Sequence, residues 1–392
     1  MRKITPLILL LLLGACTSVF AQLSEADTKQ YNKSVKLYNK GKHDKAIGIL
    51  DKVQAGNLQN DELWDVRVQM EYGRYINQLQ KDISTAEKKF SGSRDQNNYI
   101  NNGESATYEI EMLAACSRAT LYCEKQERAS MLLRIFLVDK GEGKPDKEAK
   151  EEFDKGEEKF TAKDFNGAIR CYKKAIEIDS TYYKATLYLG DAYFNNEDYD
   201  KALVWYKKAC DMRPNLLEPR KYLTDAYMKQ KNWKEAYDAC IEGIAVYPDV
   251  GMFIKLEEIC DKQGKTFNRH WVSRVNYPNS NATVQEPVET APWSYYRQAK
   301  TEIKFYCNQD GIITEETEKT KSKFMEVYSW EFMLDKGQGS ELSFARKMNE
   351  AGYLDCYVFI SMYHISFHEQ FAKWSKDNKD RVKTYIDTYL VK

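Results

Sequence analysis

Small and aromatic residues return at a fixed interval of 34 along residues 149–250, against a strongly charged background. Gly156, Gly190 and Thr224 mark the interval. Twelve residues after each stands Ala168, Ala202 or Ala236, preceded by Phe165, Tyr199 or Trp233. Tyr172, Tyr206 and Cys240 follow those alanines by four residues, and the intervals close at Ser180, Pro214 and Pro248. A period of this length marks stacked supersecondary units, none of which buries its apolar face alone. The pattern continues upstream in divergent form. "YNKSVKLYNKGKHDKAIGILDKV" sets Gly41, Ala46 and Leu50 in the same register, with His43 where an aromatic stands elsewhere. Tyr108 to Leu137 reads as a further pair, with Ala129 and Leu133 matching. Residues 61–90 predict a long helix ending near the loop "SGSRDQNNYINNG", "GEGKPD" at 141–146 predicts a break, and residues 252–263 predict a closing helix that masks the last apolar face. Downstream, helical runs are predicted at 293–308, 315–335, 341–350, 353–371 and 377–390.

A 34-residue period with these residue types resembles the tetratricopeptide repeat. The resemblance implies two antiparallel helices per unit, A and B. A small residue on each lets the backbones approach, aromatics fill the space between hairpins, and proline stops helix B. The expected fold is all-α: a helical-hairpin superhelix of this type followed by a small all-helical C-terminal domain. Its expected divisions are a signal peptide (1–21), divergent hairpins (22–145), three units (149–250), a closing helix (251–275), a linker (276–292) and an aromatic-rich helical domain (293–392). The linker carries three prolines, at 278, 287 and 292, and little periodicity.

The same resemblance places helix A along an inner groove. Glu157, Asp191 and Asp225 then fall at one groove position, a carboxylate per unit, with Phe153, Phe160, Phe194 and Met228 as apolar anchors. The lysine, asparagine and arginine clamp with which one subclass grips a terminal carboxylate is missing, and a carboxylate ligand would be repelled at the acidic row. The expected partner is an extended peptide or protein with basic and apolar side chains. Against this stands a plainer reading, in which the acids are solvated surface and the aromatics pack between units.

The first residues change the picture of where the chain acts. "MRK" followed by Leu7-Ile8-Leu9-Leu10-Leu11-Leu12-Leu13 reads as an export signal, too short for the ~20 apolar residues of a membrane span. Two cleavage readings stay open. "LGAC" resembles a lipobox with Cys16 as the lipidated residue, and "VFA" before Gln22 fits ordinary signal peptidase. The "VFAQ" ending resembles secreted proteins of the Bacteroidota. The expected location is periplasmic or associated with the outer membrane, with membrane attachment only through a lipidated Cys16. Lysine plus arginine equal aspartate plus glutamate at 59 each, so no electrostatic reason points to nucleic acid. The eight cysteines beyond Cys16 include no CxxC and read as small buried apolar residues, with one or two disulfides as the alternative.

Residues 293–392 are about one-fifth aromatic and lack the 34-residue period. "CYVFISMYHISFHEQF" predicts a helix with His364 and His368 spaced i, i+4, a weak zinc candidate without the HExxH order; packed histidines fit better. "YCNQDGIITEET" resembles part of a calcium loop, but Tyr306 and Thr317 replace the end ligands, so a helix-turn-helix corner is expected. No phosphate loop, nucleophile elbow or dinucleotide fingerprint is present. The sequence thus points to a non-enzymatic interaction scaffold of the envelope, with no cofactor and no metal. The alternative is an enzyme or carbohydrate-binding protein whose site lies in 293–392, with the repeats recruiting substrate.

Overall fold

A computed structural model describes residues 23–139, 144–274, 292–314 and 322–392. The export signal, Cys16, Gln22 and nearly all of the proline-rich linker lie outside the described residues. Every regular element among the described residues is helical, and extended pairing is confined to bridges at Phe267–Val391, Cys307–Ile313 and Ile312–Phe324. The chain divides into two compact units, residues 1–136 with 273–286 and residues 137–272 with 287–392.

The first unit begins with the hairpin α1 (Glu25–Tyr38) and α2 (His43–Ala55). Ser24 caps α1 by accepting from the Asp27 N–H. The turn places Gly41 at φ +72°, five residues before the fully buried Ala46, in the register read from the sequence. α3 (Asp61–Lys89) is the predicted long helix. It is followed by α4 (Ser93–Asn101), where the sequence reading expected a loop. α5 (Glu104–Tyr122) lies along α3, and α6 (Glu127–Leu133) leads into a π-helical turn at Arg134–Val138. Tyr31, Leu50, Leu63 and Met70 form the core under the hairpin. Beside it Glu71, 1% exposed, lies between Arg67 at 2.8 Å and Arg74 at 2.5 Å. Arg74 also reaches Asp44 and Glu111, and Arg67 also meets Asp51, so the buried Glu71 sits inside a network of two arginines and four acids.

The second unit opens with three hairpins: α7 (Lys147–Thr161) with α8 (Phe165–Ile178), α9 (Tyr183–Asn195) with α10 (Tyr199–Met212), and α11 (Glu218–Lys229) with α12 (Trp233–Val246). The period appears in the backbone itself. Lys163, Glu197 and Lys231 turn the chain between A and B with φ of 61°, 61° and 58°. Ala168, Ala202 and Ala236 are fully buried. A Cβ added at Gly156 would stand 2.4 Å from Tyr172 Cε1, and one at Gly190 would stand 2.6 Å from Tyr206 Cε1. Glycine there makes room for a whole tyrosine ring. The third unit reverses the sizes, with buried Thr224 and Cys240 at the corresponding positions.

α13 (Val250–Lys262) is the predicted closing helix, yet it does not end the structure alone. The rest of the unit comprises α14 (Trp293–Ile303), α15 (Met325–Lys336), α16 (Ser343–Glu350), α17 (Leu354–Cys356), α18 (His368–Ser375) and α19 (Lys379–Tyr385). α18 and α19 pack on α12. Tyr237 donates to Asp387 at 2.6 Å, and Lys383 meets Asp238 at 2.9 Å. Backbone bonds of 2.8 and 2.9 Å join Thr266 to Lys392, while Arg269 donates to the Ser361 carbonyl at 2.7 Å. The aromatic-rich segment is therefore continuous with the repeats. Its core centres on Trp330, fully buried and edge-on to Trp293 and Tyr357.

Two expectations for this segment are corrected. The run 353–371 is not one helix. It turns through a π-helical stretch, Tyr357–Ser361, and His364 is extended at φ −145° before a 3-10 turn, Ile365–Phe367. The calcium-like stretch is not a helix-turn-helix corner. It reverses at Gly311, φ +77°, where Asn308 Oδ1 accepts from the Asp310 and Ile312 N–H groups, each at 3.0 Å. Residues 315–321 lie outside the described part. The eight cysteines beyond Cys16 are free, five of them buried, as the apolar reading expected. Among the described residues no helix is long and apolar enough to cross a membrane.

Candidate functional site

Helix A of each unit carries its acid at the same register, and the structure gives each acid a partner. Tyr172, on α8, donates its hydroxyl to Glu157, and Tyr206, on α10, donates to Asp191 at 2.7 Å. Both pairs span 15 residues, from the A helix to the B helix of one hairpin. The third unit has Cys240 in place of the tyrosine, and Asp225 is met instead by Lys255 of α13. The acids are therefore not a plain solvated row. Each is half-buried, with part of its surface open to solvent. A carboxylate offers about four lone-pair sites, so one tyrosine bond leaves it able to accept more.

The electrostatics are unfavourable to the anions. Burial raises the Glu157 pKa, with the Tyr172 bond opposing. Asp191 is pushed up to about 7, first by burial and then by the negative charges of Glu218, Glu157 and Asp225; the Tyr206 bond opposes. A folded pKa above the unfolded value means that the contribution to stability is present below about pH 4 and is lost as pH rises to about 7. Asp191→Asn keeps an oxygen to accept from Tyr206 and removes the charge. We expect the variant to match the parent near pH 4 and to be more stable above pH 7, by on the order of 2 kcal/mol after allowance for solvent screening. Thermal melts across that range check it; equal melts at pH 8 would mean that ionising Asp191 in its place costs the fold nothing.

The apolar anchors divide. Phe153 is a core residue, 7% exposed, with its ring 5.2–5.4 Å from those of Tyr172, Tyr182 and Tyr188. It offers no open contact. Phe160 and Phe194 are half-buried at equivalent positions, each edge-on to the first residue of helix B, Phe165 at 5.4 Å and Tyr199 at 5.3 Å. They fasten the turn of their own hairpin and keep an outer edge. Met228 is half-buried at the same position of the third unit. Sequence reasoning missed the tyrosine partners, although Glu157–Tyr172 and Asp191–Tyr206 share a spacing that was visible once the period was known.

The histidine pair does not share a helix face. His364 Nδ1 lies 2.8 Å from Ser366 Oγ, and His368, the first residue of α18, has Nδ1 2.8 Å from Tyr363 Oη. Among the described residues no group of three or more His, Cys, Asp or Glu could hold a metal ion. Asp310 of the calcium-like turn is paired with Lys373 at 2.6 Å.

Residues 156–197 match a family model described as TPR repeat, and residues 183–216 match one described as tetratricopeptide repeat. No curated protein matches the chain. Solved structures with similarity include the Sgt2 TPR domain from Aspergillus fumigatus, 19% identical, covering 38% of this chain and 94% of that one at a TM-score of 0.29. The TPR2AB domain of yeast Sti1, solved as a complex with pHSP90, is 14% identical and covers 61% of this chain and 99% of that one at 0.28. The TPR protein TTC0263 of Thermus thermophilus is 15% identical and covers 59% and 98% at 0.24. Family models and helical hairpins thus meet on the same residues, and the segment 156–216 carries tetratricopeptide repeats.

Proposed function

We propose that the chain is a non-enzymatic interaction scaffold of the bacterial envelope, exported by its N-terminal signal, whose repeats bind a basic, partly apolar peptide segment of a protein partner. One observation carries the reading. Glu157, Asp191 and Asp225 recur at one repeat position, two of them propped by tyrosines of helix B. Burial first, and then the charges of Glu218, Glu157 and Asp225, raise the Asp191 pKa, and a lysine or arginine brought to the row would offset those charges. Phe160, Phe194 and Met228 border the row, whereas Phe153 belongs to the core. Exposed charges mainly govern the rate of association, and apolar contacts the rate of release.

The test uses the full chain and a short peptide of alternating lysine and leucine, with a glutamate–leucine peptide as control. Changing Glu157, Asp191 and Asp225 to lysine is unsuitable, because two of them accept from buried tyrosines. The triple variant Glu157→Gln, Asp191→Asn, Asp225→Asn retains an acceptor at each position. It is expected to slow association with the lysine peptide at low salt and to flatten the salt dependence, with the glutamate peptide binding neither protein. Equal association rates for parent and variant at both salt levels would sink the reading.

A further inference from the structure

The second unit holds a cleft of about 620 Å³ that the acidic row does not use. It lies where the turn from α10 to α11 and the end of α12 face α18 and the start of α19. Its volume falls within the roughly 300–1,000 Å³ of small-molecule sites. The floor is apolar: Val138, Leu217, Ala245, Tyr247 and Ala372 line it, and Leu217, Ala245 and Tyr247 are each under 5% exposed. The polar lining has the opposite sign to the acidic row. Arg213, His368, Lys376 and Lys379 are basic, and Asp139 is the acid among the lining residues.

These groups differ in how they are held. Arg213 caps the C-terminal end of α10, and its guanidinium lies 5.7 Å from the centroid of the Tyr183 ring. His368 is fixed by Tyr363 at Nδ1, so Nε2 is its remaining polar atom. Lys376 and Lys379 are exposed at the junction of α18 and α19, and among the described residues neither has a carboxylate partner. The other lysines near this face, Lys373 and Lys383, are both paired with aspartates. Two unpaired ammonium groups at the edge of an apolar floor suit a ligand that is anionic at one end and apolar at the other. A bare inorganic ion leaves the floor empty, and an alcohol leaves the lysines unused.

We propose that this cleft binds a small organic carboxylate, with its aliphatic part on Leu217, Ala245 and Ala372 and its charge toward Lys376, Lys379 and Arg213. The chemistry is shared by a free short-chain acid and by the C-terminus of a peptide ending in an apolar residue. The inference is independent of the acidic row and stands or falls separately.

Calorimetry on the full chain tests it with four probes: hexanoate, hexanol, N-acetyl-Gly-Val-Leu with a free carboxylate, and the same peptide as its amide. The acids are expected to bind and their neutral counterparts to bind at least about tenfold more weakly, the scale of two or three exposed charge contacts. Tighter binding of hexanoate assigns the site to a free acid, and tighter binding of the peptide acid assigns it to a chain terminus. The double variant Lys376→Glu, Lys379→Glu alters two exposed side chains and is expected to melt like the parent while weakening the acids by about tenfold. Ala372→Trp fills the floor and is expected to abolish binding of both acids. The proposal is overturned if neither acid binds the parent, if the alcohol and amide bind as well as the acids, or if the glutamate variant binds both acids unchanged.

Discussion

Tyr206→Ala is expected to destabilise the repeat array by about 3–5 kcal/mol, the range for truncating a large buried aromatic. The ring is 1% exposed and lies against Gly190, where even a Cβ would be too close. It also packs 5.7 Å from the Tyr222 ring of the next unit, so its loss opens both the hairpin and the junction between hairpins. Its hydroxyl holds Asp191, and removing the donor leaves a carboxylate whose ionised form is already disfavoured. Tyr206→Phe separates the two contributions. It keeps the packing and, above pH 7 where Asp191 is ionised, is expected to lose about 1.5–3 kcal/mol, the worth of a hydrogen bond to a charged group. Urea denaturation followed by circular dichroism reads both variants, and an alanine variant with the parent's midpoint would place the ring outside the core.

Lys300→Met is expected to cost about 3–5 kcal/mol, because it leaves a buried carboxylate without its cation. Glu326 is fully buried on α15. It accepts from Tyr296 at 2.5 Å and from Lys300 at 2.9 Å, while its own N–H donates to Gln370 at 2.8 Å. Gln370 in turn lies against Gly311, where an added Cβ would stand 2.5 Å from its amide nitrogen. The double variant Lys300→Met, Glu326→Gln removes both charges and is expected to recover most of the loss. Denaturation monitored by tryptophan fluorescence reports on Trp293 and Trp330, which pack in the same core. A single variant as stable as the double one would mean that neutralising Glu326 relieves nothing once Lys300 is gone.

The repeat units were legible because their requirement is local and recurs. Glycine opposite tyrosine, alanine between helices and a left-handed turn residue can be counted along the chain. The third unit broke the pattern in residue size, with Thr224 and Cys240 exchanging bulk, and in the partner of its acid, Lys255 in place of a tyrosine. The aromatic-rich segment was legible as helices but not as an arrangement. His364 leaves the helix because the π-helical stretch before it runs out at Ser361, and no composition rule announces that. The tyrosine partners of the acids were legible only as a spacing of 15 shared by Glu157–Tyr172 and Asp191–Tyr206, not as bonds. Phe153 looked like an anchor because periodicity gives its helix face, whereas its burial depends on Tyr182 and Tyr188 of the following unit.

The attachment of the last residues to α12 has a consequence for the order of assembly. The contacts of the array run within each hairpin and between adjacent hairpins, the condition for fast folding. The bond from Tyr237 to Asp387 closes over 150 residues, and the backbone pairing at Thr266 waits for Lys392 itself. Until residues 363–387 have been made, Tyr237 lacks Asp387 and Tyr247 lacks the rings of Tyr363 and His368, and such transient apolar surface invites association with other unfinished chains. Loss of α18 and α19 would therefore hold the molecule at a late intermediate, with its repeats folded and one face of α12 uncovered.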